Sequence, residues 1–171
     1  ASLGNGEVVF AEIQSSPGQA DYSYREIARS KCHNGSAFDV LPTKDGAISV
    51  GADGRLITLD RQGQIISSTQ IVDHTIWSVV SPSPDQIILA CNDGSLRLLR
   101  SGTVAKTITI HQGAIRHLAI TPRAQWCVSV GKDRSVFAVL ADLSDSILLH
   151  RTTDYIYQGV FDSVGQLLTV C

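Results

Sequence analysis

Five histidines, His33, His74, His111, His117 and His150, are the side chains of this 171-residue sequence best suited to proton transfer near neutral pH. With Asp and Ser residues along the same stretches, they could be drawn into Ser–His–Asp relays for acyl transfer. Such chemistry needs an accessible, activated serine. The sequence contains no nucleophile elbow, no His-Glu-x-x-His, no phosphate-binding loop and no Gly-x-Gly-x-x-Gly. No catalytic residue is assigned, and the chain reads as a non-enzyme. His117 alternates with apolar neighbours in an expected strand, which predicts a satisfied interior imidazole. Asp53, Asp93 and Asp133 raise the question of calcium. Each turn offers one carboxylate, whereas that ion takes about six to eight oxygens from one cage. Turn geometry accounts for the three residues, and no metal is expected. The four cysteines, Cys32, Cys91, Cys127 and Cys171, form no Cys-x-x-Cys pair. Cys91 and Cys127 sit inside apolar runs and read as small buried hydrophobes of a reducing, cytoplasmic compartment. No cofactor is expected.

The spacing of these residues reveals the elements that hold them. Gly51-Ala52-Asp53-Gly54-Arg55-Leu56 recurs as Cys91-Asn92-Asp93-Gly94-Ser95-Leu96 and as Gly131-Lys132-Asp133-Arg134-Ser135-Val136, with the aspartates 40 residues apart both times. A second marker keeps similar time: Ile76-Trp77-Ser78-Val79, Ile115-Arg116-His117-Leu118 and Ile156-Tyr157-Gln158-Gly159 start 39 and then 41 residues apart. Within each period, short runs rich in Val, Ile and Leu are separated by Gly, Asp, Pro and Ser, the pattern of strands and turns. The middle period shows four, Ile76–Val80, Ile87–Cys91, Leu96–Leu99 and Val104–Ile110. Asp-Gly between such runs predicts a type I′ hairpin. Arg134 stands in place of the glycine in the third period and predicts a different or strained turn. No window sustains a helical apolar period. Four-stranded antiparallel units repeating every 40 residues predict an all-β fold, a β-propeller.

Here the chain resembles the WD-repeat family. The resemblance rests on Ile110-His111-Gln112-Gly113-Ala114-Ile115-Arg116-His117-Leu118-Ala119-Ile120-Thr121-Pro122, followed by residues 126–130 and Gly131-Lys132-Asp133. It covers residues 36–171, with a weaker echo at residues 4–10. The Trp-Asp pair that names the family would fall at Leu59-Asp60, Leu99-Arg100 and Val139-Leu140, so no repeat keeps the Trp. In the family a loop His, a strand hydroxyl, the turn Asp and that Trp are linked by hydrogen bonds. His74, His111 and the three aspartates fit as structural turn residues, with Gly51, Cys91 and Gly131 at the hydroxyl position. The linked set is therefore expected to fail, leaving the blades to aliphatic packing. Gly54-Arg55-Leu56-Ile57-Thr58-Leu59-Asp60 also looks like quinoprotein-type propellers, which keeps an enzymatic or ligand-binding propeller as the alternative.

Sixteen strands are expected, about four blades' worth: a partial blade over 1–35, blades over 36–75, 76–114 and 115–155, and a partial blade over 156–171. The only low-complexity loop is placed at residues 14–21, and Cys171 aligns with Gly51, Cys91 and Gly131. An exposed strand edge is a hazard. The segment is thus read as an excerpt of a larger ring, its open ends covered by further blades, with end-to-end pairing as the other arrangement. The resemblance also assigns a docking rim, where Phe38, Trp77, Arg116 and Tyr157 follow the first apolar residue of each inner strand. Aromatic residues and Arg dominate interface energies. With a formal net charge of −2, the chain lacks the basic surface that nucleic acids or anionic membranes attract. No apolar run approaches the ~20 residues of a membrane helix. The expected function is protein–protein interaction, as a scaffold within a larger intracellular assembly.

Overall fold

The computed structural model describes residues 1–15, 22–162 and 165–170. Among these there are sixteen strands and no helix. Strands β1 (Glu7–Ser15) and β2 (Tyr22–Lys31) form a two-stranded sheet. Three four-stranded antiparallel meanders follow. The first is β3 (Ala37–Thr43), β4 (Gly46–Gly51), β5 (Arg55–Asp60) and β6 (Ile65–Gln70). The second is β7 (Ile76–Ser83), β8 (Gln86–Cys91), β9 (Ser95–Arg100) and β10 (Thr103–Thr109). The third is β11 (Ile115–Ile120), β12 (Trp126–Gly131), β13 (Ser135–Leu140) and β14 (Ser146–Arg151). A last pair, β15 (Gln158–Phe161) and β16 (Leu167–Val170), completes the set.

The sheets are held face to face by what alternates along their middle strands. In β8, Ile88 and Ala90 join an apolar layer with Leu118, Cys127 and Val139 of the third meander, while Leu89 and Cys91 join another with Val50 and Leu56 of the first. A strand covered on both faces reads as an unbroken apolar run, which is what Ile87–Cys91 is. The outermost strands, β6, β10 and β14, are exposed along nearly their whole length and mix polar residues with exposed aliphatic ones such as Ile66 and Ile147. Leu59, Leu99 and Val139, where the family's Trp would fall, are buried to 1% exposure or less. Aliphatic packing thus fills those places. Val8 extends the stack to β1, and Ile156 packs with Val128, Val130 and Val136 to seat the last pair.

Inner strands β3, β7 and β11 are also tied by a polar thread. Ser78 Oγ donates to Asp39 Oδ2 (2.7 Å), which also accepts from Val79 N (3.0 Å), and Leu118 N donates to Ser78 Oγ (3.2 Å). The thread continues to the last pair where Gly159 N donates to His117 Nδ1 (3.4 Å).

Three expectations change. The first hairpin is longer than expected, so that Gln14 and Ser15 belong to β1; residues 16–21 of the expected loop lie outside the described residues, as does Cys171. β1 and β16 belong to separate two-stranded sheets, so the alternative of end-to-end pairing is not formed among the described residues. The Asp turns are not type I′. Each is closed by one bond, Gly54 N to Gly51 O, Gly94 N to Cys91 O and Arg134 N to Gly131 O. A single left-handed residue follows: Gly54 (φ 68°), Gly94 (φ 81°) and Arg134 (φ 65°). That is the three-residue hairpin with a bulge. Arg134 makes the same turn as the glycines and carries the strain itself.

Candidate interaction rim and its supporting relays

At one end of the inner strands, three of the four expected rim residues are the extra residue of a β-bulge. Ala37 pairs with Gly51 and Asp39 with Val50, leaving Phe38 unpaired. Trp77 lies likewise between the pairs Ile76–Cys91 and Ser78–Ala90, and Arg116 between Ile115–Gly131 and His117–Val130. A bulge breaks strand alternation and re-aims the side chain it carries. Three neighbouring sheets therefore turn Phe38, Trp77 and Arg116 toward one place. Tyr157, just before β15, reaches it from a loop and is 68% exposed.

The side chains touch. The rings of Phe38 and Trp77 lie 4.2 Å apart, tilted by 40°. The Arg116 guanidinium sits 3.7 Å from the centre of the Trp77 ring, a cation–π contact. Trp77 Nε1 donates to Asn92 Oδ1 at 3.1 Å, which fixes the indole. All four rim residues border one open cleft of about 530 Å³, which Lys132 and Tyr155 also line. Neither Arg116 nor Lys132 has a carboxylate partner among the described residues. The cleft is thus aromatic and cationic at once.

Beneath the rim, two turns are locked by relays that the sequence was expected to lack. His33 Nδ1 bonds Asp53 Oδ1 (2.8 Å) and Nε2 bonds Ser49 Oγ (2.9 Å). In the third meander His111 Nδ1 bonds Asp133 Oδ1 (2.9 Å) and Nε2 bonds Ser129 Oγ (2.9 Å). With Nδ1–H given to the carboxylate, Nε2 accepts from the serine. The remaining carboxylate oxygen of Asp53 accepts from Asn34 N, and that of Asp133 from Gln112 N. Each aspartate therefore clips the incoming loop to the turn. Burial pushes the Asp53 and Asp133 carboxyls up, and these bonds outweigh it and hold both below the usual carboxylate range. Burial pushes His111 down, against the pull of Asp133. Although Asp, His and Ser are ordered as in a hydrolase triad, Ser49 and Ser129 are 0% exposed and cannot meet a substrate.

The hydroxyl position expected at Gly51 and Gly131 is corrected to Ser49 and Ser129, two residues earlier. Glycine has a different task there. A Cβ on Gly51 would lie 2.7 Å from His33 Cγ, and one on Gly131 would press into the His111 ring. Glycine leaves room for the imidazole. His33 was not singled out as a turn residue, although its place 20 residues before Asp53 is close to that of His111, 22 before Asp133. Asn92 and Lys132 were also missed at the rim; both immediately precede a turn aspartate, a signal present in the repeat.

The middle meander departs. It has Leu89 for the serine and Cys91 for the glycine, and His74 is not seated in the blade. Instead Nδ1 bonds Asp73 Oδ1 (3.0 Å), and Nε2 lies 3.4 Å from Asp93 Oδ2 without forming a hydrogen bond. Asp93 is held by Ser95 N (3.0 Å), Ser95 Oγ (2.6 Å) and Arg97 (3.1 Å). His117 is half-buried, pushed down by burial, and accepts from Gly159 N.

Residues 102–137 match the family model of the WD domain, G-beta repeat (WD40). The structure is similar to that of the WD40 beta propeller domain of Doa1, with a TM-score of 0.75 and 17% sequence identity over 96% of this chain and 57% of that one. No curated protein matches the sequence. The fold is that of a WD40 β-propeller, with a WD40 repeat at residues 102–137, and this chain spans a little over half the length of the Doa1 domain.

Proposed function

We propose that this WD40-type propeller segment is a non-enzymatic scaffold for protein–protein interaction, docking an extended, acidic segment of another protein in the cleft bordered by Phe38, Trp77, Arg116 and Tyr157. One observation carries the reading: successive inner strands bulge at the same register and aim aromatic and cationic side chains into a single opening. Strands clamped between sheets hold these groups before binding, so little ordering entropy opposes association. Arg116 and Lys132 supply charge complementarity, since no carboxylate among the described residues pairs with them.

The same reading places the chain in a larger cytoplasmic assembly, as a subunit or segment flanked by further blades. Cys32, Cys91 and Cys127 are free, which suits a reducing compartment. An array of extended peptides graded in acidic content tests the docking role. Peptides bound by the wild type should lose at least about 2 kcal/mol of affinity in Trp77→Ala, with a clear loss in Arg116→Ala. Unchanged affinity together with a lowered melting temperature would assign both residues to packing between sheets.

A further inference from the structure

The middle turn has lost the relay of its neighbours and gathered a different set of donors. His74 Nε2, Cys91 Sγ and a carboxylate oxygen of Asp93 lie within 4.8 Å of one another. His74 Nε2 is buried and has no hydrogen-bond partner. The other ring nitrogen is engaged by Asp73 Oδ1 at 3.0 Å. A carboxylate that accepts Nδ1–H fixes the tautomer and leaves the Nε2 lone pair bare, the arrangement found behind metal-bound histidines. That lone pair faces Asp93 Oδ2 at 3.4 Å. Arg97 also meets that oxygen, at 3.1 Å, but supplies nothing to the bare lone pair of Nε2, which still lacks a donor or a cation.

We propose that His74, Cys91 and Asp93 form a binding site for a divalent metal ion of borderline softness, with zinc the natural occupant and a fourth position left to water. One imidazole, one thiolate and one carboxylate is a donor set suited to such ions rather than to calcium or magnesium. The site exists because of two substitutions relative to the sister turns. Cys91 carries a Cβ where Gly51 and Gly131 leave room for the imidazole, which keeps His74 out of the blade. Leu89 offers no hydroxyl to draw it in. The same Cys91 then supplies the sulfur.

Arg97 is the competing cation. Its guanidinium lies 3.6 Å from Cys91 Sγ and 3.1 Å from Asp93 Oδ2, and it balances these groups when no metal is bound. It must swing away on binding. This separates a metal site from a purely structural cluster, because removing a structural ion-pair partner weakens a fold but does not tighten a metal.

The chain, stripped with chelator, is titrated with cobalt(II) alone and monitored by absorption, then with zinc(II) as competitor. One equivalent of cobalt should produce a thiolate-to-cobalt charge-transfer band that zinc abolishes. Cys91→Ser should lose the band. His74→Ala, which changes a partly exposed side chain and leaves the core intact, should weaken binding by about tenfold or more, and Arg97→Gln should tighten it. Far-UV circular dichroism confirms that each variant is folded. Absence of the band in the wild type overturns the proposal and leaves the Arg97–Asp93 ion pair as the account of the cluster. A band that survives Cys91→Ser or is unmoved by His74→Ala overturns it as well, by placing the metal on another thiol.

Discussion

Arg134 shows how a single backbone angle can be read as energy. It holds φ at 65°, beside 68° at Gly54 and 81° at Gly94 in the same turn. A side chain with a Cβ costs roughly 1–2 kcal/mol in that region, and glycine costs nothing there. Arg134→Gly should therefore stabilise the fold by about 1 kcal/mol, after allowance for the looser unfolded chain, and raise the melting temperature by roughly 2–4 °C. Its guanidinium lies 5.2 Å from the centre of the exposed Tyr155 ring, a contact worth about 0.5–1 kcal/mol at such a site that offsets only part of the strain. A thermal melt that moves down would show that the contact outweighs the strain. Gly51 poses the reverse case. Its Cβ would lie 2.7 Å from a buried His33 ring that has no other place to go. Gly51→Ala should cost about 1–3 kcal/mol by overpacking, visible as a lower urea midpoint.

At the scale of elements, the relays decide how firmly the loops are tied to the turns. Ser129→Ala would strip His111 Nε2 of its partner at a site closed to solvent, where Ser129 is fully buried. A buried acceptor left bare costs about 1–3 kcal/mol, so the variant should unfold at lower denaturant than the wild type, and Ser49→Ala should do the same through His33. Equal midpoints for wild type and variants would mean that the relays are bystanders to packing. These relays also mark where the sequence was legible and where it was not. The 40-residue period of Asp53, Asp93 and Asp133 was readable because a tight turn demands particular residues locally. The serines were misplaced by two positions because their identity depends on where an imidazole from a preceding loop comes to rest, which is set in space and not along the chain. The alignment of Phe38, Trp77, Arg116 and Tyr157 was visible, but their common direction was not. Alternation predicts opposite faces for successive residues, and only the bulges, set by pairing with β4, β8 and β12, override it.

For the whole molecule, the response to pH follows from which groups the fold keeps neutral or charged. Burial pushes His111 and His117 below their ordinary 6.5, with Asp133 and Asp39 pulling each back in part. A histidine depressed in the fold contributes stability above its unfolded value and loses it as pH falls, because the unfolded chain takes up the proton more readily. The depressed carboxyls of Asp53, Asp93 and Asp133 repeat the pattern from their ordinary 3.8 downward. Stability should thus hold above pH 6.5, decline below it as the histidines matter, and fall again below pH 3.8. The first decline should not be uniform in space. Protonated at both nitrogens, His117 can no longer accept from Gly159 N, which is the polar tie between β11 and the β15–β16 pair. Among the described residues that pair is otherwise held by a small apolar layer, around Ile156, Phe161 and Leu167. Amide exchange in β15 should accelerate between pH 7 and pH 5 more than in β8, which is packed on both faces. His117→Gln, which cannot titrate, should remove most of that acceleration. Exchange that rises equally in both strands, or that persists in His117→Gln, would assign the acid response to the His111–Asp133 relay instead of the joint between sheets.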